Sequence, residues 1–295
     1  MKKVALLVYN PNSGDEHIPV KELQERILMH LRGFDLAVYE TTGTDDSEKV
    51  KREIESLSPS LVLAGGGDGT VKLVAEVLPA EIPLAILPMG SANGLAKCLG
   101  IDLLEDGLEA LRYLESSPID GVEIDGELCL HLSDFGLNAD MIHQFEQEGT
   151  RGMLGYIKSS FSQIFQAEPQ PFRIRSGDGV WETESRMLLI ANGDRYGTGA
   201  IINPMGKMND GKFEVVAHDV DNWEDFLKIT KSMLDGDVPE GKVLKSWSFE
   251  SCEIENLNRA NFQIDGELKG KPEKVRVKIL PGRFQMIVGR NQGNR

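Results

Sequence analysis

In the first part of the chain, unbroken apolar runs alternate with stretches in which apolar residues recur every three or four positions. Val4–Val8, Leu61–Ala64 and Leu84–Leu87 are such runs and predict strands buried on both faces, the first within Lys2–Tyr9. Phe34–Glu40 reads as a further strand. Between them, Val20–Leu31 carries Leu23, Ile27, Leu28 and Leu31 at helical spacing, and Ser47–Leu57 places Val50, Ile54 and Leu57 on one face. Val71–Leu78 and Leu103–Leu114 also read as helices. Strands and helices in alternation predict an α/β domain with an open, mostly parallel sheet.

From about Pro118 the pattern changes to short runs: Val122–Ile124, Leu128–Leu132, Phe172–Ile174, Met187–Ala191, Phe213–Ala217, Leu244–Phe249, Phe262–Ile264, Val275–Ile279 and Phe284–Val288. Asp125-Gly126, Asp178-Gly179, Asp210-Gly211 and Asp265-Gly266 supply turn chemistry for antiparallel hairpins. A second, mainly antiparallel β-sandwich domain is expected. Two amphipathic helices, Met153–Phe165 and Asn222–Leu234, interrupt it, and their apolar stripes are expected to pack on a sheet. The boundaries are placed at 1–122 and 123–295, with roughly the last ten residues able to rejoin the first domain.

Three strands of the first domain end in small-residue turns that lead towards helices: Asn10-Pro11-Asn12-Ser13-Gly14, Gly65-Gly66-Gly67-Asp68-Gly69-Thr70 and Pro88-Met89-Gly90-Ser91-Ala92-Asn93-Gly94. Glycine leaves no Cβ to hold a phosphate away and permits positive φ, so such turns can bring backbone N–H groups close to an anion. An aspartate in such a turn can hold Mg²⁺ or a hydroxyl, or simply cap the helix. In an open α/β sheet, ligands collect beyond the carboxyl ends of the strands. The three turns should therefore share one rim.

Composition narrows the partners. At 295 residues the chain can bury two cores. Its net charge of −15 argues against general nucleic-acid binding and against a polybasic membrane anchor. A nucleotide held by loop amides and Mg²⁺ remains compatible with that charge. Cys98, Cys129 and Cys252 have no disulfide or metal-like spacing and read as buried small hydrophobes. His131 and His218 read as structural residues. With no long apolar run and no signal-peptide pattern, a cytoplasmic protein is expected, peripheral to the membrane at most.

Gly66-Gly67-Asp68-Gly69-Thr70 resembles the nucleotide-loop signature shared by diacylglycerol, sphingosine and ceramide kinases, NAD kinases and phosphofructokinases. Four further matches resemble the lipid kinases and run in their family order: Asn10–Gly14, Pro88–Asn93, Tyr196-Gly197-Thr198-Gly199 with Pro204 and Asp210-Gly211, and Asp265-Gly266-Glu267. The resemblance implies an active site in the cleft between an α/β domain and a β-sandwich. It further implies ATP as phosphoryl donor, Mg²⁺ and a membrane-lipid acceptor; with so acidic a chain, membrane contact is expected to be transient, and the oligomeric state stays open, a homodimer included. Transferred onto this chain, Asn10, Ser13, Thr42, Gly66, Gly67, Asp68, Gly69, Thr70, Ser91 and Asn93 would line the nucleotide site. Glu267 would be the general base, Asp68 and Asp120 would serve the active-site magnesium, and Asp210 a structural metal.

Where the lipid kinases have asparagine and then an acid after the glycine loop, Lys72 and Leu73 stand here, and Lys72 reads as an exposed helix lysine. Asn93-Gly94 replaces the Asn-Asp of diacylglycerol kinases, with Ser91 for the common threonine, which looks more like the sphingosine and ceramide kinase branch. Thr198 stands where a glycine is usual, while Lys97 retains a basic position. Two other readings stand beside the lipid kinase: an NAD kinase-like enzyme with a soluble substrate, and a catalytically silent nucleotide-binding protein.

Overall fold

The computed structural model describes residues 3–14, 18–136, 168–195, 203, 206–218 and 244–289. The chain forms two compact units, one of Met1–Ile119 with Gly282–Arg295 and one of Asp120–Pro281.

The first unit alternates β1 (Lys3–Tyr9), α1 (Val20–His30), β2 (Phe34–Glu40), α2 (Asp46–Leu57), β3 (Leu61–Gly66), α3 (Asp68–Val77) and β4 (Leu84–Pro88), then continues into α4 (Gly94–Cys98) and α5 (Leu104–Ala110). Its strands lie in the order β2-β1-β3-β4, all parallel, with Leu6 opposite both Ala37 and Val62. Alternate residues Ala5, Leu7 and Tyr9, with Leu61, Leu63, Ala85 and Leu87, form one core with Leu23 and Ile27 of α1 and Leu108 of α5. The intervening residues Leu6, Val8, Val62 and Ala64 are also fully buried, and α2 and α3 pack against β1. Burial on both faces is why these strands read as continuous apolar runs.

Two helices differ from expectation. α3 begins at Asp68 rather than Val71, so Asp-Gly-Thr forms the first helical turn instead of a loop before it. α5 ends at Ala110, after which Arg112 and Tyr113 donate to carbonyls three residues back and Leu114 turns left-handed at φ 51°. Lys72, read as exposed, is buried at 6% exposure. Thr70, Val71, Val74 and Ala75 are buried on the same helix, which therefore has little solvent-facing surface.

The second unit holds two sheets. β7 (Leu132–Phe135), β10 (Met187–Ala191), β11 (Phe213–His218), β12 (Leu244–Phe249), β14 (Phe262–Ile264) and β15 (Glu267–Gly270) form one, ordered β12-β11-β10-β7-β14-β15. The other contains β8 (Gln170–Ser176), β9 (Gly179–Ser185), β13 (Ser251–Asn256) and the first part of β16 (Lys274–Ile287), with the hairpin of β5 (Ser116–Ile124) and β6 (Glu127–Cys129). Strands β7, β10, β11, β12, β14 and β15 pair antiparallel, as do β8 with β9, β13 with β8 and with β16, and β5 with β6. Phe135, Leu188, Phe213, Val215 and Ile264 of the first sheet share a core with Val122, Phe172, Ile174, Ile254 and Val277 of the second, which makes the unit a sandwich.

Asp125-Gly126 and Asp265-Gly266 are two-residue hairpin loops with positive φ at both positions, as type I′ turns require. Between β8 and β9, however, the loop is Gly177-Asp178, because Gly179 already pairs with Ser176. The run Leu128–Leu132 divides into β6 and β7, and the two runs on either side of Pro281-Gly282 are one strand, β16. The expected helices Met153–Phe165 and Asn222–Leu234, the Tyr196–Gly199 segment and Pro204 lie outside the described residues. No helix among the described residues is long and apolar enough to cross a membrane.

Candidate functional site

In the first unit the ends of β1, β3 and β4 are locked to one another by their backbones. Asn10 N–H donates to Gly65 O and Met89 N–H to Gly66 O, each at 2.9 Å, which extends the parallel ladder past the strands. Backbone then meets backbone. A Cβ on Gly90 would lie 2.4 Å from Gly67 Cα, and one on Gly14, at φ 72°, 2.2 Å from Met89 O. A side chain at Gly66 would strike Thr70, whose hydroxyl lies 3.4 Å from Asn10 Nδ2. Ser13 Oγ approaches Gly67 from the first turn.

The third turn is held from within and from α3. Asn93, left-handed at φ 53°, accepts from Gly90 N–H at 2.9 Å and donates Nδ2–H to Gly90 O at 2.7 Å. Asp68 accepts from Gly94 N–H at 3.0 Å on one carboxylate oxygen and from Leu95 N–H at 3.2 Å on the other. Asn10, Ser13, Gly66 to Thr70 and Asn93 thus gather on one rim, with Ser91 exposed in the same turn. Gly69 has open space around the position of its absent side chain. α3 starts at this rim: Thr70 N–H and Val71 N–H donate to Gly67 O at 3.0 and 3.1 Å, and Asp68 and Gly69 are its first two positions, whose amides an α-helix does not pair internally. Lys97 is half-buried on α4.

A fourth segment adjoins them. Thr41 N–H donates to Tyr9 O at 2.8 Å, immediately before Asn10, which places the turn carrying Thr42 beside the first loop. Asp46 anchors it: the amides of Thr42 and Gly43 donate to its carboxylate at 2.9 and 2.6 Å, and the Tyr39 hydroxyl at 2.6 Å. Burial by itself would push Asp46 up, but the Tyr39 hydroxyl and these amides hold it down at about 2. Tyr39 is correspondingly pushed up to about 12, by burial first and then by Asp46.

Asp120, Asp210 and Glu267 belong to the second unit. Glu267 opens β15 directly after the Asp265-Gly266 turn, with its side chain 63% exposed. The turn is firmly held. Asp265 accepts the amides of Leu130, His131 and Leu132 at 2.9, 3.0 and 3.3 Å, and Gly266 N–H donates to Gln263 Oε1. Gln263 Nε2 in turn donates to buried Asp134. Lys269 bridges Glu267 at 2.9 Å and Glu127 at 2.6 Å; partial burial would lower its pKa, but the two carboxylates raise it. Asp120 is buried and accepts Gly211 N–H at 2.8 Å, whereas Asp210 is exposed and accepts Lys212 N–H at 3.1 Å.

The donor chemistry fits a magnesium ion shared with a nucleotide. Mg²⁺ prefers oxygen ligands and commonly takes one or two carboxylates, with phosphate oxygens and water completing its shell. Among the described residues Asp68 receives two hydrogen bonds, and a carboxylate offers about four lone-pair sites. No group of three acidic, histidine or cysteine side chains able to hold a metal forms among the described residues. A cage built from protein alone is therefore not what these residues make.

Sequence reasoning passed over Asp46, Lys269 and Glu214. The Glu214 carboxyl is buried and raised by that burial, while Asn203 and Ser248 donate to it at 2.8 and 2.9 Å and oppose the rise. An acid inside the apolar run Phe213–Ala217 was the available signal. His131, between β6 and β7, places Nε2 2.6 Å from Arg195 O, a structural contact. All three cysteines are buried and none is in a disulfide.

Comparison with known proteins agrees with this architecture. Residues 4–124 match the diacylglycerol kinase catalytic domain, and residues 135–288 match the YegS C-terminal NAD kinase beta sandwich-like domain. A Pseudomonas aeruginosa protein described as "Probable lipid kinase YegS-like" is 27% identical over 96% of this chain and 93% of its own length. An Escherichia coli "Probable lipid kinase YegS" is 26% identical over 94% of this chain and 93% of its own. Two Bacillus anthracis crystal structures, one described as a diacylglycerol kinase, share the fold with TM-scores of 0.76 and 0.69 at 24% and 22% identity, each over 98% of both chains. With both of its halves matched in order, this chain belongs to the family in which a diacylglycerol kinase catalytic domain is joined to a YegS-type C-terminal β-sandwich.

Proposed function

We propose that the protein is an ATP- and Mg²⁺-dependent kinase that phosphorylates a hydroxyl of a membrane lipid, of the diacylglycerol or of the sphingoid and ceramide type. The observation that carries this reading is the backbone-locked rim at the ends of β1, β3 and β4, with Gly67 packed on Gly90 and α3 starting at Asp68 directly after it. The names of the relatives supply the lipid.

On this reading Asn10, Ser13, Gly66 to Thr70, Ser91 and Asn93 hold the phosphates, with Thr42 a further contact. The acceptor hydroxyl oxygen bonds to the γ-phosphorus, the bond to the bridging oxygen breaks, and ADP departs. Glu267 accepts the hydroxyl proton as that bond forms, one of the few covalent tasks phosphoryl transfer leaves to a protein. The turn that presents Glu267 is fixed by Asp265, so the carboxylate starts from a defined backbone position. Asp68 and Asp120 would hold magnesium, which supplies charge neutralisation at the phosphates when bound. Asp210 would serve a structural metal.

Transfer of label from γ-labelled ATP to diacylglycerol, sphingoid bases, ceramide and NAD tests the proposal. Product from a lipid is expected, and product from NAD alone overturns it. Glu267→Gln is expected to lower kcat by orders of magnitude with nucleotide affinity little changed. Unchanged turnover removes the base assignment.

A further inference from the structure

The turn that carries Thr42 has a hydrogen-bond polarity that follows from counting protons. The Thr42 hydroxyl has one proton to donate and two lone pairs to accept with. Its oxygen lies 3.0 Å from Asp46 Oδ1 and 3.2 Å from Thr44 O, both acceptors within the turn. The proton is used internally by either. Lys49 Nζ donates to the same oxygen at 3.1 Å, and to Thr44 O at 2.8 Å, which occupies one lone pair. Thr42 is exposed, so what it offers a ligand is the remaining lone pair. While the turn keeps these bonds, it accepts from a ligand rather than donating to it.

Of the two acceptors Asp46 is the nearer and the charged one, and it also holds the turn's backbone. It is 6% exposed and takes donors from every side: the Tyr39 hydroxyl, the amides of Thr42 and Gly43, and the Thr42 hydroxyl. Asp45 before it is left-handed at φ 51° and Gly43 at φ 79°, so the turn follows a path that depends on these bonds. Thr41 meanwhile ties the turn to Tyr9, beside Asn10.

We propose that Asp46 is a positioning residue for the nucleotide: by consuming the Thr42 proton and fixing the turn, it holds Thr42 as an acceptor for a hydrogen-bond donor of the nucleotide, either the amino group of the base or a hydroxyl of the ribose. The inference rests on the nucleotide reading of this rim. It predicts a preference for nucleotides that carry the donor, set by a residue that never touches them.

The test uses the full chain. ATP affinity is measured by calorimetry, and KM and kcat by turnover, for wild type, Thr42→Val, Thr42→Ser, Asp46→Asn and the double variant Thr42→Val/Asp46→Asn. The analogues are purine riboside triphosphate, which lacks the amino group, and 2′-deoxy- and 3′-deoxy-ATP. Thr42→Val and Asp46→Asn should each weaken ATP by about five- to tenfold, the value of one neutral hydrogen bond, with kcat held. Thr42→Ser should restore affinity, and the double variant should be no worse than Thr42→Val. One analogue should lose the same factor in wild type and become indifferent to Thr42→Val, which identifies the donor as base or sugar. ATP affinity unchanged in both single variants overturns the inference alone, as does an additive double variant or three analogues that bind like ATP. A wild-type protein that binds no ATP overturns the nucleotide reading and this inference with it.

Discussion

Gly90→Ala isolates the contact that holds two of the three turns together. Gly90 does not lie in the left-handed region, so alanine is allowed by the local backbone and the consequence is steric. The new methyl carbon would lie 2.4 Å from Gly67 Cα, 3.2 Å from Gly67 N and 2.9 Å from Asn93 Oδ1. Carbon atoms in contact prefer about 3.5–4.0 Å, so the turns after β3 and β4 must part by about 1 Å or more. The nearest atom is backbone, which cannot swing aside. That movement strains the 2.9 Å bond from Met89 N–H to Gly66 O and the two amide bonds to Asp68. Overpacking of this kind costs about 1–3 kcal/mol, seen as a lower Tm. A misplacement of about 1 Å in groups that position a reacting phosphoryl costs about 10²-fold in kcat/KM. Gly69→Ala is the control: its methyl meets nothing within 4 Å, and alanine favours the helix by up to about 1 kcal/mol, so Tm should hold or rise. Thermal melts, ATP calorimetry and kcat/KM on both variants give the comparison. If a phosphate packs on the first turn of α3, Gly69→Ala weakens ATP without lowering Tm, while Gly90→Ala lowers both. A Gly90→Ala protein with wild-type Tm and wild-type ATP affinity refutes the interlock.

Three further outcomes are expected. Asp265→Ala removes an acceptor shared by the amides of Leu130, His131 and Leu132 and leaves alanine at φ 48°; a loss of about 2–4 kcal/mol should appear in chemical denaturation, and Asp265→Asn should recover part of it. Asp46 lies at about 2 against an ordinary value of 3.8, so its stabilisation is complete above the ordinary value and is lost as pH falls from there through about 2. Tm measured across that acid range should fall less steeply in Asp46→Asn than in wild type; equal slopes would remove Asp46 from the acid response. Asp210→Ala should lower Tm more than it lowers ATP affinity if a metal is held there, and a Tm unaffected by chelator in wild type would dismiss that metal.

The strand framework was readable because parallel strands buried on both faces must be apolar throughout, and the runs around Leu6, Leu63 and Ile86 are. The glycine turns were readable for a related reason. Backbone must approach backbone at Gly67 and Gly90, and no other residue leaves that room. β13 was passed over although Cys252, Ile254 and Asn256 alternate inward, because Ser251, Glu253 and Glu255 between them make the segment look like a charged loop. Lys72 was misjudged because a lysine on a helix is exposed unless neighbours close over it, and which helices are closed over depends on packing that no local spacing records.

The same division runs through the candidate site. Residues that would face a ligand sit in short motifs whose chemistry is local: glycines, an amide-bearing asparagine, an acid after a tight turn. The residues that hold them act across the chain. Asp68 reaches the amides of Gly94 and Leu95, and Asp265 gathers amides more than a hundred positions upstream. Asp46 acts over only a few residues, yet its role was equally hidden, since an acid in the first turn of a helix reads as a complement to the helix dipole. Only the direction of its carboxylate, back into the preceding turn rather than along its own helix, shows that it orders Thr42. An aspartate that organises a loop and one that merely starts a helix carry the same letter in the same place. Separating them takes the identity of the amides each one receives, and here those amides belong to the turn beside Asn10.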